Sequence, residues 1–277
     1  VTHGARSRSR KRAQAIGIIA LVVAPALGLT AARATRDRAT GVPGARHPRT
    51  AGHDTTVALP FAIGEKCSYD VRYGDLKVGT GSMEVADTES VRGVDAWHTV
   101  FRVVGGIPLY HVNDLFESWF DVSTLSSLRF VQRLQEGGKD RERHFEIFPE
   151  RSTYIQEGKP EKPSVSQPLD DGSFLYFART LPLEVGKTYA FDRYFQPDRN
   201  PVTLKVLRRE RVTVPAGTFM AIVVQPIIKT SGIFSENGEA QVWLADDSTR
   251  IMLQLKSKLT FGSLNLYLTS YHPGGRG

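Results

Sequence analysis

The chain has 277 residues with 36 Lys and Arg against 29 Asp and Glu, a formal charge of +7, and a single cysteine. The charge is unevenly placed: residues 1–58 hold ten basic residues against Asp37 and Asp54, whereas the remainder holds 26 basic and 27 acidic residues. The high pI therefore belongs to the N-terminal stretch, and a nucleic-acid-binding face is not implied. One thiol excludes an internal disulfide, so a core must supply the stability.

Arg6, Arg8, Arg10, Lys11 and Arg12 precede the apolar run Ala13 to Leu29, and Ala32 and Ala34 offer a small-residue cleavage site. That order predicts a secretory signal peptide over residues 1–34. The alternative is an inner-membrane anchor at 13–29, near the short limit for a span. Residues 35–58 are rich in Arg, Thr, Gly, Pro and His with almost no large apolar side chain, and they read as a disordered linker. Residues 273–277 read as a disordered tail.

From residue 59 onward period-two alternation and β-branched or aromatic residues dominate, punctuated by Gly, Pro, Asp and Asn. Strands are predicted near 65–73, 77–87, 95–104, 109–121, 127–135 and 141–148, then near 153–157, 187–195, 201–213, 218–229, 237–245, 250–261 and 264–271. One helix is predicted between the two sets, from Asp171 to Leu181, with Asp170 or Asp171 as cap and Pro182 as stop. Cys67 lies in a strand-like run and reads as a small buried hydrophobe.

The two sets echo each other. Leu59-Pro60-Phe61-Ala62-Ile63-Gly64 through Tyr69-Asp70 aligns without a gap on Leu181-Pro182-Leu183-Glu184-Val185-Gly186 through Phe191-Asp192. Trp119 to Thr124 resembles Trp243 to Thr249 with one insertion, and Arg92-Gly93-Val94-Asp95 and Pro215-Ala216-Gly217-Thr218 read as corresponding turns. The expectation is an all-β, mainly antiparallel domain over 59–272. Its similar halves, about 59–165 and 181–272, form a curved sheet or a closed or half-closed β-barrel with one short helix near the seam. Roughly 12 strands exceed the number whose interior side chains alone fill, which predicts a cavity. Two separate six-stranded domains are the alternative.

The run Gly64 to Val71 with Gly79 and Gly81 resembles the opening of a bacterial envelope family, domain of unknown function 3108. Further matching pieces are Asp114, Glu117 and Asp121 before Leu128-Arg129-Phe130; Asp171 to Tyr176; Val214 to Phe219; and Trp243-Leu244 with Asp246-Asp247. The resemblance implies an exported, mostly β protein and transfers no catalytic residues. A looser, fold-level similarity links the pattern to periplasmic half-barrels that carry lipoproteins.

No nucleophile elbow, zinc helix, Cys-rich knuckle or phosphate loop is present in the sequence. No cofactor and no metal are expected. His111, Asp114 and Glu117 have a tempting spacing, but on a strand Asp114 points away from the other two. His98, His144 and His272 are isolated and read as solvated or hydrogen-bonded. Arg102 shares a face with Val100 and Val104; if that face is inward it needs Glu117 or a ligand anion, and if Phe101 and Val103 are inward it is solvated. The apolar turns Ile107-Pro108-Leu109-Tyr110 and Ile233-Phe234 are candidate lips of a cavity.

The ligand-binding candidates are therefore Arg102, Ile107, Leu109, Tyr110, Glu117, Ile233 and Phe234. The functional expectation is a non-enzymatic periplasmic protein that binds an amphipathic envelope molecule: a lipid, lipoprotein or glycolipid. Peripheral membrane contact through the apolar turns belongs to the same expectation. An assembly factor contacting another envelope protein and an enzyme acting on envelope glycans or lipids are the alternatives.

Overall fold

The computed structural model describes residues 59–229, 239–258 and 263–275. The expected leader, linker and turn residues Ile233 and Phe234 lie outside the described residues.

Among the described residues fourteen strands form one antiparallel sheet. The first meander comprises β1 (Lys66–Tyr73), β2 (Leu76–Val91), β3 (Val94–Ile107), β4 (Tyr110–Asp121), β5 (Ser127–Glu136) and β6 (Lys139–Phe148). Two short strands follow, β7 (Thr153–Gln156) and β8 (Lys162–Pro163), and then the helix α1 (Asp171–Arg179). The second meander comprises β9 (Thr188–Phe191), β10 (Val202–Val214), β11 (Gly217–Ile227), β12 (Gln241–Ala245), β13 (Met252–Lys258) and β14 (Ser263–His272). The strands run in order from β8 back to β1, and β1 then pairs with β14, from which the order descends to β9. The result is a half-closed barrel whose break in the ladder, among the described residues, falls between β8 and β9.

That break is bridged without a ladder. The segment after β8 makes one parallel bridge, Leu169 to Tyr194, with Leu169 N–H donating to Arg193 C=O at 2.5 Å and Phe195 N–H to Leu169 C=O at 2.9 Å. Phe195 packs edge-on to Phe145 of β6 and Tyr154 of β7, with centroids 5.2 Å from each. Such aromatic contacts add to the area they bury, so side chains hold together what main-chain pairing leaves open.

The two meanders use matched local chemistry. Gly64 and Gly186 take positive φ values of 80° and 85°, which glycine adopts without a Cβ penalty. Each then donates its N–H at 2.8 Å, Gly64 to Val85 C=O and Gly186 to Val206 C=O. The next residue's carbonyl returns the favour at 2.9 Å: Glu65 C=O accepts from Val85 and Lys187 C=O from Val206. Both partner strands bulge at that point, between Val85 and Asp87 and between Val206 and Arg208. Two strands further on, Trp119 Nε1 donates to Glu89 at 3.0 Å and Trp243 Nε1 to Glu210 at 2.6 Å. Each tryptophan also sits at a bulge, before Phe120 in one case and Leu244 in the other.

The helix forms because its first turn is fully capped. Asp170 accepts from the N–H groups of Gly172 at 2.8 Å and Ser173 at 2.9 Å, while Ser173 Oγ accepts from Asp170 N–H at 2.9 Å, a reciprocal capping box. Asp170 also accepts from Ser118 Oγ of β4 at 2.7 Å, which fixes the helix start to the sheet. Phe174, Tyr176, Phe177 and Ala178 are buried, so α1 lies inside the curve of the sheet as a plug.

The plug's far end is held by Arg179. Its guanidinium makes a two-pronged contact with Glu65, at 2.6 and 2.8 Å, and donates to the carbonyls of Pro60 at 2.7 Å and Thr249 at 2.7 and 3.1 Å. Phe61 and Tyr176 stack their rings against it at 5.4 and 5.5 Å. One side chain thereby ties the helix to the start of the first meander and to the β12–β13 turn of the second. Burial in this setting costs several kcal/mol per ion unless geometry and hydrogen bonds compensate, and here every guanidinium nitrogen has an acceptor.

Candidate functional site

Inward positions alternate along the strands. Thr99, Phe101 and Val103 of β3 face the interior, as do Asp114, Phe116 and Ser118 opposite them on β4. This settles the orientation of β3: the Phe101 and Val103 face is inward, and Arg102 points outward. Its guanidinium donates to Asn113 Oδ1 at 3.1 Å on the exposed surface. Glu117 is outward too, where it accepts from Arg133 and from the His98 ring at 3.3 Å. Neither residue reaches the interior, and the ion pair between them considered from the sequence does not form.

The β3–β4 turn corrects the expectation for the lips as well. Leu109 is 100% exposed, and Ile107 and Tyr110 are half-buried at the tip; none of the three lines the cavity. Leu76, at the start of β2, is exposed as well. Asp114 and Glu117 fall on opposite faces, so the His111, Asp114, Glu117 spacing does not converge. His98 instead stacks flat on Trp119 at 4.3 Å with Glu89 at 2.9 Å from Nδ1, and His144 meets Glu142 at 2.7 Å.

What the interior offers is an apolar cleft beside α1. A narrow space, open to solvent at its mouth, is lined by Met83 of β2, Phe101 and Val103 of β3, Phe116 of β4, Leu255 of β13 and Leu266 of β14. Leu175 and Tyr176 close it on the helix side. Phe101 and Leu175 are partly exposed and mark where the cleft meets solvent. Around it the interior is filled: α1 and the aromatic cluster take up most of the room that so many strands enclose. The strand-period pattern carried the signal for these lining residues, but they lie on six strands or helix turns separated by up to 183 positions, from Met83 to Leu266.

Two polar side chains line the cleft, Thr99 and Asp171. Thr99 Oγ1 donates to Ser118 C=O at 3.4 Å. Asp171, the first residue of α1, accepts from Tyr194 Oη–H at 2.9 Å and from Gln132 Nε2 at 3.4 Å. Tyr194 Oη accepts in turn from Arg199 Nη1 at 3.3 Å. Burial pushes the Asp171 carboxyl up to about 6, with the Tyr194 hydrogen bond and the Arg199 charge opposing it.

A second buried carboxyl lies nearer the β3–β4 turn. Asp114 is 0% exposed and accepts from Gln135 N–H at 3.1 Å through one oxygen, while Oδ2 has no partner among the described residues. Burial, then the charge of Glu136, pushes it up to about 7. Glu136 is itself raised by burial despite its contact with Arg141. Because the native pKa of Asp114 exceeds its unfolded value near 3.8, folding favours its protonated form, and this contribution is lost as pH rises from about 4 through 7. Asp114→Asn is therefore expected to raise the urea midpoint more at pH 8 than at pH 5; an equal change at both would contradict it.

Cys67 is buried against Tyr69, and burial pushes its thiol up to about 11, which suits a packing residue and not a nucleophile. Among the described residues no group of three His, Cys, Asp or Glu side chains converges, and no helix is long and apolar enough to cross a membrane.

Among solved structures, this fold is similar to a β-barrel-like protein of domain of unknown function DUF1849 from Brucella abortus. The match has a TM-score of 0.52 at 10% identity and covers 78% of this chain and 99% of that one. At such identity the likeness speaks to fold alone. A hypothetical protein from Chlamydia trachomatis aligns over 79% of this chain and 91% of that one, with 7% identity and a TM-score of 0.36, too low to carry an argument. No curated protein matches the sequence. A family model matches residues 68–269, well over half of the chain, and on that match the chain belongs to the DUF3108 family, proteins of unknown function.

Proposed function

We propose that this protein holds the hydrocarbon part of an amphipathic envelope molecule in the cleft between α1 and the wall formed by β2–β4 and β13–β14. The observation that carries this reading is the lining: apart from Thr99 and Asp171 it is hydrocarbon or aromatic, and it stays partly open at Phe101 and Leu175. Apolar clefts with a few convergent polar groups are the usual form of small-ligand sites. Burying about 300 Å² of aliphatic surface at roughly 25 cal/mol per Å² contributes about 7 kcal/mol before the cost of association. That is enough for reversible carriage. In this reading residues 1–34 direct export and the matched meanders descend from a duplicated unit, whose enclosed space is the carrier compartment.

The test uses N-phenyl-1-naphthylamine, a neutral probe that fluoresces in apolar sites, and 1-dodecanol as competitor. Leu175→Trp places a larger side chain at the mouth and is expected to weaken both by about tenfold. Unchanged binding in that variant would remove the cleft as the site.

A further inference from the structure

We infer that the β3–β4 turn docks this protein on a lipid bilayer, with Leu109 entering the hydrocarbon at the membrane surface. Docking of this kind is independent of what the cleft holds.

Pro108 and Leu109 form the two-residue turn that joins Ile107 to its pairing partner Tyr110. Leu109 has a φ of 71°, a left-handed conformation that turns ordinarily give to Gly or Asn because a larger side chain strains it. Two other described leucines take positive φ, Leu125 at 57° and Leu183 at 49°, and both are buried, at 8% and 0% exposure. Their side chains gain core contacts that offset the strain. Leu109 is 100% exposed and gains no such contacts. A strained backbone and a fully hydrated leucine are both unfavourable in the free protein, and an apolar phase outside it would relieve the second.

The nature of the partner follows from area and charge. Leu76 is 63% exposed at the start of β2, and the pairing of β2 with β3 as far as Gly79 and Gly105 puts it at the same end of the sheet as Ile107. Two exposed leucines and the half-buried Ile107 present on the order of 200 to 300 Å² of apolar surface, far below the roughly 800 Å² per partner of a stable protein pair. A second copy or a folded partner would be held poorly by so little. A bilayer needs no matching surface and takes up an apolar point in proportion to the area it buries. Charge contributes little, because Lys77 and Lys139 at this end are offset by Asp75 and Asp140, so neutral lipid should serve as well as anionic. Phe101 and Val103 of the cleft wall precede Ile107 on β3 by about 20 Å of strand or less, which brings the cleft of a docked molecule close to the lipid.

The experiment attaches nitrobenzoxadiazole to His111→Cys, an exposed position beside the turn, in the full chain. Cys67 stays unlabelled because it is buried and its thiol is pushed up to about 11. With vesicles of phosphatidylcholine, and with vesicles of phosphatidylethanolamine and phosphatidylglycerol, the emission should shift to the blue and rise as the dye leaves water. The same dye on Ser90→Cys, by the opposite β2–β3 turn, should not respond; an N-terminal anchor would affect both labels alike. Leu109→Asn should weaken the His111 response about tenfold in a lipid titration. Its thermal midpoint should stay level or rise, since Asn suits the left-handed turn. Leu109→Met should keep the response within about threefold. No shift at His111 with either vesicle overturns the docking, as does a shift that persists in Leu109→Asn. A midpoint that falls in Leu109→Asn would show that another part of the chain covers Leu109, and a dimer lost in that variant would show that a second copy does; either result overturns it.

Discussion

Arg179→Met is expected to lower the free energy of unfolding by about 3 to 5 kcal/mol, the range found when one partner of a buried ion pair is removed. The cost comes from what is left behind: the Glu65 carboxylate, buried with the pair and stripped of its two-pronged contact, and the carbonyls of Pro60 and Thr249, which lose their donor. For a domain of this size the thermal midpoint should fall by about 6 to 20 °C. The double variant Glu65→Gln, Arg179→Met removes the stranded charge as well and should recover a substantial part of the loss. Urea melts of the wild type, both single variants and the double variant supply the cycle. A double variant that loses the sum of the two single losses would show that the residues act independently and would contradict the assignment.

Gly105→Val is the other change with a large expected effect, and its cause is steric. Gly105 and Gly79 face each other across the β2–β3 ladder at unusually close range. A Cβ built on Gly105 falls 2.3 Å from Val78 O and 2.6 Å from Gly79 Cα, and one on Gly79 falls 2.3 Å from Val104 O. Those neighbours are backbone, which cannot rotate away as a side chain can. The strands must separate locally and lose ladder bonds, at about 3 kcal/mol or more. Gly81 provides the control on the same strand, since a Cβ there meets nothing nearer than 3.4 Å. Gly81→Ala should shift the urea midpoint far less than Gly105→Val; equal losses would mean that the close approach is not what requires glycine.

The strands were legible because each meander repeats an alternation that only a half-buried sheet satisfies. The helix was legible because Asp170 precedes an apolar turn and Pro182 ends it. The corresponding glycine turns could be matched by eye, since Leu59-Pro60 and Leu181-Pro182 stand at the same distance before Gly64 and Gly186. Orientation failed where both faces of a strand carry apolar residues: Val100 and Val104 alternate with Phe101 and Val103, so the period alone does not say which pair is inside. The sequence therefore left Arg102 either inward beside Glu117 or solvated, and the structure selects the solvated arrangement. The Arg179 contact was illegible on different grounds, because its partners lie 114, 119 and 70 positions away and nothing local to the helix end signals them. β8 escaped notice because two residues, one of them proline, carry no period.

The gap between β8 and β9 gives the vessel a direction in which it yields. Elsewhere around the circumference, the two-residue β7–β8 pairing apart, widening the wall means unzipping a run of main-chain bonds along a strand. At Leu169 it means parting two such bonds, the Ser164 Oγ–H to Phe195 C=O and Arg193 Nε–H to Gln167 C=O contacts at 2.7 Å, and sliding the ring of Phe195 past Phe145 and Tyr154. Outward strain on the wall therefore gathers at this junction, and the girth can change there while every hairpin keeps its register.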